Sequence, residues 1–398
     1  MKILIIHNQY LFAGGEDRVV ASEADLLKRH GHEVIFYPRS NKEIYVGRLR
    51  DKFRFVFNEM PWSRKSFRDL MCLIQEEKPD IAHVHNPFFM MTPSVYKACS
   101  DNGVPIVQTL HNYRFLCANG VLFRDGQVCE RCLYGGSRQA VITRCIHHSF
   151  WGSFMSALIL RTYRGSRILH DSITTFIAPS HFCKEIHCRH ARLDEDKVYV
   201  KPHFIEDPGE AEPQRDYALY VGTIREYKGI QILLQAWGGL PDIPLKIAGE
   251  IPPENEWLMD RIPSVRNIEL LGSLSMQETL DAMKKARCVI VPSICYETFA
   301  RAIIEAYACG VPVIASDIGA LSERVVDGQT GYLFRAGDPE DLRLKVKQLF
   351  EREEAYRQMG QQARRQYERH YTPEINCRIL MDIYDKTLAE TGGNPPRS

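Results

Sequence analysis

The sequence predicts an α/β protein made of two domains, each built on a doubly wound parallel sheet. The chain has 398 residues, which is too many for one hydrophobic core. Short apolar segments alternate with helical segments along both halves, a pattern typical of parallel strands covered by helices on both faces. An acidic stretch rich in proline and glycine, residues 206–213, separates the halves and predicts a linker.

The first half opens with an apolar run that predicts a strand over residues 3–6. A loop containing Gly14 and Gly15 follows, and the spacing of apolar residues then predicts a helix over 17–29. Further strands are predicted over residues 33–37, 81–85 and 105–111. Since helical segments lie between these strands, the first half fits a parallel sheet.

The second half repeats this alternation. Its predicted strands cover residues 217–221, 245–248, 268–271, 289–291 and 313–315. Its predicted helices cover residues 229–237, 275–286, 339–352, 354–370 and 373–388. In doubly wound sheets ligands bind beyond the carboxyl ends of the strands, so the site is expected in the loops that follow them.

The small net charge of +1 conceals an asymmetry between the halves. Residues 1–200 carry 27 Lys and Arg against 20 Asp and Glu, whereas residues 201–398 carry 24 against 30. The basic half suits an anionic acceptor or a membrane surface, although chance variation in surface charge explains it equally well. We expect no nucleic-acid partner.

The start of the chain has too short an apolar core for a signal peptide. No segment reaches the roughly 18 uninterrupted apolar residues that span a membrane. We therefore expect a cytoplasmic protein, held peripherally at the inner face of the cell membrane if its acceptor is anchored in lipid.

The strongest motif lies in residues 292–316, where a strand, a loop and a helix follow one another. Glu297 stands in the loop, and Glu305 lies about two turns into the helix. Free backbone N–H groups at the helix start suit phosphate or sugar oxygens, and carboxylates accept hydrogen bonds from sugar hydroxyls. The residues at this helix start are Thr298, Phe299 and Ala300.

A second motif follows the strand over residues 217–221. Gly222 and Thr223 open a short loop, and Arg225 and Lys228 stand just before a predicted helix start at Gly229. Two cations beside a helix start make a diphosphate site. A pair of solvated surface charges is the simpler alternative.

Two weaker signals lie in the first half. Gly15 follows the first strand, where glycine lets a backbone approach a phosphate closely, although most such pairs are simple turns. His111 ends a strand, and a histidine in that place is more often structural than functional.

The second-half motifs resemble family 4 of the retaining glycosyltransferases. The resemblance rests on the E-x7-E spacing of Glu297 and Glu305, on the sequence Ala-Cys-Gly-Val-Pro-Val-Ile-Ala-Ser after it, and on residues 327–339. It implies the GT-B fold, in which two Rossmann-like doubly wound parallel-sheet domains face a central cleft. The acceptor domain is then expected over 1–205 and the donor domain over 214–372, with a C-terminal helix over about 373–390 packing back on the acceptor domain.

The resemblance also implies roles for the site residues. Glu297 lies by the donor sugar and Glu305 holds the nucleotide ribose. Lys228 matches the lysine of the family pattern Gly-Arg-Leu-x-x-x-Lys-Gly, but Thr223 occupies the arginine position, so that Arg225 is the substitute. The resemblance also implies that the loop at Gly15 approaches the donor phosphate and that His111 lies against the donor sugar.

The function implied is retaining transfer of a sugar from a UDP- or GDP-linked donor to a glycan or lipid-linked acceptor. Residues 110–117 and the cysteines after them resemble a bacterial surface-polysaccharide branch of the family. No Asp-x-Asp motif stands in a suitable loop, so catalysis is expected to need no divalent cation or other cofactor. The alternatives are a sugar-nucleotide epimerase or hydrolase on the same scaffold and a non-catalytic nucleotide-sugar sensor.

Four cysteines in a loop-rich stretch form a separate pattern, namely Cys117, Cys129, Cys132 and Cys145. Their spacing fits four thiolates on a structural zinc, although a single C-x-x-C is weaker than the usual two. Disulfides or free thiols remain open. Five others are expected to be small core residues: Cys72, Cys99, Cys288, Cys309 and Cys377. A second set of possible metal ligands fits a helix surface better: His181, Cys183, His187, Cys188 and His190.

Residues 48–68 combine seven Lys and Arg with aromatic residues that include Phe53, Phe55, Phe57 and Trp62. Basic and aromatic side chains together suit an interface with anionic lipid. A helix packed on its own core explains the segment equally well.

Overall fold

The computed structural model describes residues 1–10, 14–45, 59–60, 62–146, 148–165, 168–209, 216–255 and 267–392. The chain divides into two compact units. The first comprises Met1–Leu122, Glu130–Lys201 and Cys377–Ser398, and the second comprises Phe123–Cys129 and Pro202–Asn376. The boundary between the units, after Lys201, comes before the predicted linker at residues 206–213. Nothing in the sequence indicated that residues 123–129 belong to the second unit.

The first unit is built on a six-stranded parallel sheet. Its strands are β1 (Lys2–Gln9), β2 (Glu33–Ser40), β3 (Ile81–Asn86), β4 (Ile106–Thr109), β7 (Thr175–Ala178) and β8 (Val198–Val200). They lie in the order β2-β1-β3-β4-β7-β8, and every neighbouring pair is parallel. The chain order reverses between β1 and β3, and the carboxyl ends at such a switch point form the usual ligand crevice.

Helices cover both faces of this sheet, so β1 is buried over Ile3, Leu4, Ile5 and Ile6. The helices are α1 (Gly15–Arg29), α2 (Lys42–Tyr45), α3 (Arg64–Glu77), α4 (Ser94–Asp101), α5 (Arg131–Gly135), α6 (Arg138–Ile142), α7 (Phe150–Gly165), α8 (Ile168–Asp171) and α9 (His181–Ala191). Most of residues 48–68, the basic and aromatic segment for which the sequence suggests a lipid interface, lies outside the described residues.

The second unit contains another six-stranded parallel sheet and a small antiparallel hairpin. The sheet strands are β9 (Tyr217–Val221), β10 (Leu245–Ala248), β11 (Ile268–Gly272), β12 (Ala286–Val291), β13 (Val313–Asp317) and β14 (Gly331–Arg335), and the hairpin strands are β5 (Phe123–Arg124) and β6 (Gln127–Val128). The order is β11-β10-β9-β12-β13-β14, which is the Rossmann order. Its switch point lies between β9 and β12.

The helices of the second unit are α10 (Ile230–Trp237), α11 (Met276–Lys284), α12 (Arg301–Ala308), α13 (Ala320–Arg324), α14 (Pro339–Glu351) and α15 (Glu353–His370). The last helix, α16 (Pro373–Glu390), joins the first unit from Cys377 onward. Its buried face packs into the core around β1 and α1 through Leu380, Ile383 and Tyr384.

Several sequence expectations differ from the structure. Cys72 is exposed, unlike the other four cysteines predicted to be buried. Residues 181–190 are helical, but Cys183, His187 and Cys188 face the core and not the surface. The predicted helix over 275–286 ends two residues early, because Ala286 already begins β12. Among the described residues, no helix is long and apolar enough to cross a membrane.

Candidate active site

The second unit brings its two principal motifs together at the switch point of the sheet. Lys228 lies in the loop after β9 and Glu297 in the loop after β12, and these two strands are neighbours. Lys228 Nζ lies 2.6 Å from Glu297 Oε1. The Ser293 hydroxyl donates to the same carboxylate at 2.7 Å. A cation and a carboxylate are therefore held side by side at the edge where ligands bind.

Close backbone contact between the two loops positions this pair. Gly229 has φ 76°, and a Cβ there would lie 1.7 Å from the Pro292 carbonyl oxygen, so the position requires glycine. The Ile294 N–H donates to the Tyr227 carbonyl at 2.9 Å. Gly229, just before α10, is therefore needed for the packing of the two loops, whether or not a ligand is bound.

The charge of Lys228 is firmly maintained. Burial lowers the pKa of its ammonium, but the nearby Glu297 carboxylate outweighs that effect, and the pKa lies above its ordinary value. Lys228 is therefore positively charged at neutral pH.

The other residues of the first loop lie close to Lys228 in the chain. Arg225 precedes a 3-10 turn over Glu226–Lys228 and is partly buried. The Tyr220 hydroxyl donates to the Thr223 carbonyl at 3.0 Å, and a Cβ at Gly249 would lie 1.9 Å from the Gly222 oxygen. The loop is therefore fixed by backbone contacts on both sides.

Helix α12 starts at Arg301, just after residues 298–300, which the sequence analysis placed at the helix start. Ala300 precedes it in a left-handed conformation with φ 60°, which is uncommon for a residue with a side chain. Thr298 is half-buried. The Phe299 ring is buried, with the Arg324 guanidinium 4.1 Å from its centroid, so Phe299 can reach a ligand through its backbone alone.

Glu305 is 6% exposed, in contrast to the simple expectation for a charged helix residue. Arg301 Nη2 lies 3.2 Å from Glu305 Oε1, one turn earlier in α12. The ion pair offsets part of the cost of burying the carboxylate, since a buried charge needs a partner.

In the first unit, His111 follows β4 and lines a small pocket of about 10 Å³. The pocket is also lined by His85, Asn86, Phe88, Gln108 and Phe115, among others. Burial lowers the pKa of His111 to about 3, so the imidazole is neutral at physiological pH. His111 Nε2 shares a hydrogen bond with His85 Nδ1 at 2.9 Å.

A buried polar network behind His111 was not predicted from the sequence. Lys201 Nζ lies 2.7 Å from Glu23 Oε2, and both side chains are almost fully buried. His83 Nδ1 and His85 Nε2 lie 3.2 and 3.5 Å from Glu23 Oε1. The available signal was the position of Glu23 in α1, where it shares the inward face with Val19, Val20 and Leu27.

Glu23, His83 and His85 also have the composition of a metal site, with ligand atoms within 4.8 Å of one another. Two contacts oppose a divalent ion there. The Lys201 ammonium already neutralises Glu23, and the two nitrogens of His83 bond to Tyr384 and Thr109 at 2.7 Å each. The cluster is better described as a hydrogen-bonded network that supports the pocket wall.

Gly15 begins α1, and a Cβ there would meet nothing within 4 Å, so packing does not explain this glycine. The next residue was not predicted as part of the site. Burial raises the pKa of Glu16 to about 7, although the Tyr10 hydroxyl donates to its carboxylate at 3.0 Å. The start of α1 therefore presents an open backbone beside a carboxyl group that titrates near neutral pH.

The candidate zinc ligands are only partly brought together. The Cys132 thiol hydrogen-bonds to Cys117 and lowers the pKa of Cys117. Cys145 lies near enough for its charge to raise the pKa of Cys132. Cys129 belongs to the second unit. All twelve cysteines are without disulfides, and the zinc site stays a prediction.

Comparison with known proteins assigns both halves of the chain. Residues 13–207 match the family model described as Glycosyltransferase Family 4, and residues 204–366 match Glycosyl transferases group 1. The chain belongs to the family 4 glycosyltransferases. N-acetyl-alpha-D-glucosaminyl L-malate synthase of Bacillus anthracis is 25% identical over 99% of this chain and 100% of its own length.

Similar solved structures show that the chain has the GT-B fold. A glycosyltransferase from Rickettsia africae matches 97% of this chain and 99% of its own, with a TM-score of 0.70 and 19% identity. HepE from Anabaena, crystallised with UDP-glucose, matches 97% of this chain and 100% of its own, with a TM-score of 0.68 and 16% identity. At these identities, both similarities establish the fold alone.

Proposed function

We propose that this glycosyltransferase moves a sugar from a nucleoside-diphosphate sugar to a glycan or lipid-linked acceptor and retains the anomeric configuration. The donor carries a UDP or GDP group, and the product contributes to a cell-surface polysaccharide or glycoconjugate. The complex of HepE with UDP-glucose supports a donor of this class. The identity of the sugar is left to experiment.

The Lys228–Glu297 pair carries the proposal. Breaking the bond between the sugar C1 and the diphosphate oxygen leaves negative charge on the diphosphate, and a fixed ammonium stabilises that charge. Glu297 lies 2.6 Å from the ammonium, so the two can contact adjoining parts of one donor. Arg225, in the same loop, adds a second cation.

The remaining steps follow from the same chemistry. The acceptor oxygen bonds to C1 on the face that the diphosphate leaves, and the acceptor proton passes to the departing phosphate oxygen. His111 is neutral and accepts or donates a hydrogen bond at the sugar, while Glu305 accepts hydrogen bonds from the ribose hydroxyls. Gly15 and the residues Gly222, Thr223, Thr298, Phe299 and Ala300 offer backbone groups to the donor. We infer that no divalent cation or other cofactor is needed, since Lys228 and Arg225 supply positive charge.

The experiment is a thermal-shift screen with UDP- and GDP-sugars, followed by assays of nucleotide release with and without candidate acceptors. The proposal predicts stabilisation by one class of nucleotide sugar and nucleotide release that requires an acceptor. Turnover without any acceptor would favour a hydrolase or epimerase, whereas binding without nucleotide release would favour a sensor. Activity that survives EDTA would support the metal-independent mechanism.

A further inference from the structure

Helix α7 exposes a cluster of three aromatic side chains. Phe150, Trp151 and Phe154 are 48%, 71% and 41% exposed. Their ring centroids lie 5.5 to 6.3 Å apart, so they form one continuous apolar surface. We call these three residues the aromatic surface. Large contiguous apolar patches are uncommon on monomeric soluble proteins and usually mark a contact with a partner.

The composition of α7 shows that this exposure is a property of the whole helix. Its inward face is buried through Ser153, Ala157, Leu160 and Tyr163. Its outward face carries Trp151 and Phe154 where a surface helix ordinarily has charged residues, and residues 149–160 contain none. The first part of the helix, up to residue 160, therefore exposes apolar side chains where water favours polar ones, and the first charged residue of the helix is Arg161.

The charge around this helix has one sign. Residues 131–170 contain six arginines and no lysine, aspartate or glutamate. Ala140 of α6 packs in one core cluster with Ala157 and Leu160 of α7, so the two helices are neighbours. The exposed arginines of this region are Arg131, Arg138, Arg144 and Arg161, and Ile142 of α6 is also exposed.

We propose that the aromatic surface and the arginines of residues 131–161 dock the protein on an anionic phospholipid bilayer. Aromatic rings enter the boundary between headgroups and acyl chains, while arginines pair with lipid phosphates. A second copy of the chain fits less well, because a symmetric dimer places the same patch against itself and brings like charges together. Six arginines and no acidic residue in residues 131–170 favour the anionic bilayer as the partner.

The inference goes beyond the proposed transfer reaction and can fail independently of it. Lipid attachment is measured with vesicles alone, whereas donor binding and turnover are measured in solution. It also differs from the membrane segment suggested by the sequence, residues 48–68. In that segment Lys65 pairs with Asp69 at 3.1 Å within α3, which reduces the net charge it can offer to lipid.

Vesicle sedimentation tests the proposal, with phosphatidylcholine vesicles that contain or lack phosphatidylglycerol. The wild type is expected to sediment with the anionic vesicles alone and to be released as salt rises. The double substitution Trp151→Ser, Phe154→Ser is expected to weaken partitioning at least about tenfold. Arg138→Ser with Arg144→Ser is expected to weaken it mainly at low salt.

Two matched controls define the surface. Leu344→Ser removes a side chain that is 64% exposed in the second unit and should leave sedimentation unchanged. Replacement of Arg64, Lys65 and Arg68 by Ser should change it little. Each variant is checked by circular dichroism and by nucleotide binding, so that misfolding is recognised.

Three outcomes overturn the proposal. In the first, the wild type does not sediment with anionic vesicles at low salt. In the second, the α3 substitutions abolish sedimentation while the α7 substitutions do not. In the third, the wild type is a dimer in solution that the α7 substitutions convert to monomer, which assigns the aromatic surface to self-association.

Discussion

Lys228 Nζ lies 2.6 Å from Glu297 Oε1, although 69 residues separate them in the chain. Each residue follows one of the two strands that meet at the switch point of the second sheet, so the fold itself creates the pair. A ligand that carries negative charge must share Lys228 with Glu297. In the proposed reaction, Lys228 of this pair contacts the donor phosphate and Glu297 contacts the donor sugar.

The first prediction concerns the loss of the Lys228 ammonium group. Lys228→Ala should lower kcat by about 10²–10³, because the developing charge on the diphosphate loses its stabilising partner. Lys246→Ala is the matched control, since Lys246 is a surface lysine of the same unit that pairs with Glu269. Initial rates at saturating donor measure the effect. Nearly full turnover in folded Lys228→Ala would remove this residue from the mechanism.

Glu305 provides the second prediction. If its carboxylate accepts one or two hydrogen bonds from the ribose, Glu305→Ala should weaken binding of the free nucleoside diphosphate at least about tenfold. Calorimetric titration gives the dissociation constant. Glu269→Ala, at an exposed carboxylate of the same unit, should bind like the wild type. An unchanged affinity in Glu305→Ala would instead assign the carboxylate to the Arg301 ion pair alone.

The third prediction concerns stability against pH. Burial lowers the pKa of three neighbouring histidines, His83, His85 and His111, so the folded protein keeps them neutral. The unfolded chain takes up protons at these positions below about pH 6.5, each worth about 1.4 kcal/mol per pH unit. The free energy of unfolding should therefore fall between pH 6.5 and 5, with uptake of more than one proton. A pH-independent value over this window would contradict the neutral network.

The buried carboxylate of the same network gives a separate prediction. Burial raises the pKa of Glu23, but the charge and hydrogen bond of Lys201 act with other neighbouring groups to lower it overall. The contribution of Glu23 to stability is therefore present above about pH 4.5 and is lost as the pH falls further. At pH 7, Glu23→Gln should lower the free energy of unfolding by about 3–5 kcal/mol, since Lys201 loses its carboxylate. Glu43→Gln, at a more exposed ion pair with Arg39, should cost far less. Chemical denaturation compares the two, and equal losses would count against the network.

The fifth prediction concerns zinc in the cysteine cluster. Protein purified without chelator should contain about one zinc per chain, and Cys132→Ser should lower both zinc content and thermal stability. Cys72→Ser, at an exposed thiol, is the matched control. Elemental analysis without zinc would reject the site. The low pKa of the Cys117 thiol would then be explained by its hydrogen bond with Cys132 together with backbone hydrogen bonds at residues 119, 120 and 122.

Much of the candidate site could be predicted because its residues are local to strand ends. Lys228 and Glu297 each follow an apolar strand, and that pattern is visible in the sequence. Their direct contact was not predictable, because it depends on β9 and β12 being neighbours in the sheet. Strand order is set by long-range packing, which the spacing of apolar residues does not encode.

The parts that were missed share a physical reason. Glu23 is acidic, and an acidic helix residue is normally assigned to the solvent face, so its buried partnership with Lys201 was not considered. The Arg301–Glu305 pair has helical i,i+4 spacing, which the sequence does show. The exposure of Trp151 requires the packing of α7, since an apolar run is ordinarily assigned to the core.

Retention at the anomeric carbon is the most direct test of the central claim. Protein, α-linked donor and acceptor are incubated together, and proton NMR follows the anomeric signal of the new glycoside before any equilibration. The account predicts an α-linked product formed in equal amount with the nucleoside diphosphate, and neither product in Glu297→Gln at a comparable rate. A β-linked product, or nucleotide release that yields free sugar and no glycoside, would contradict it.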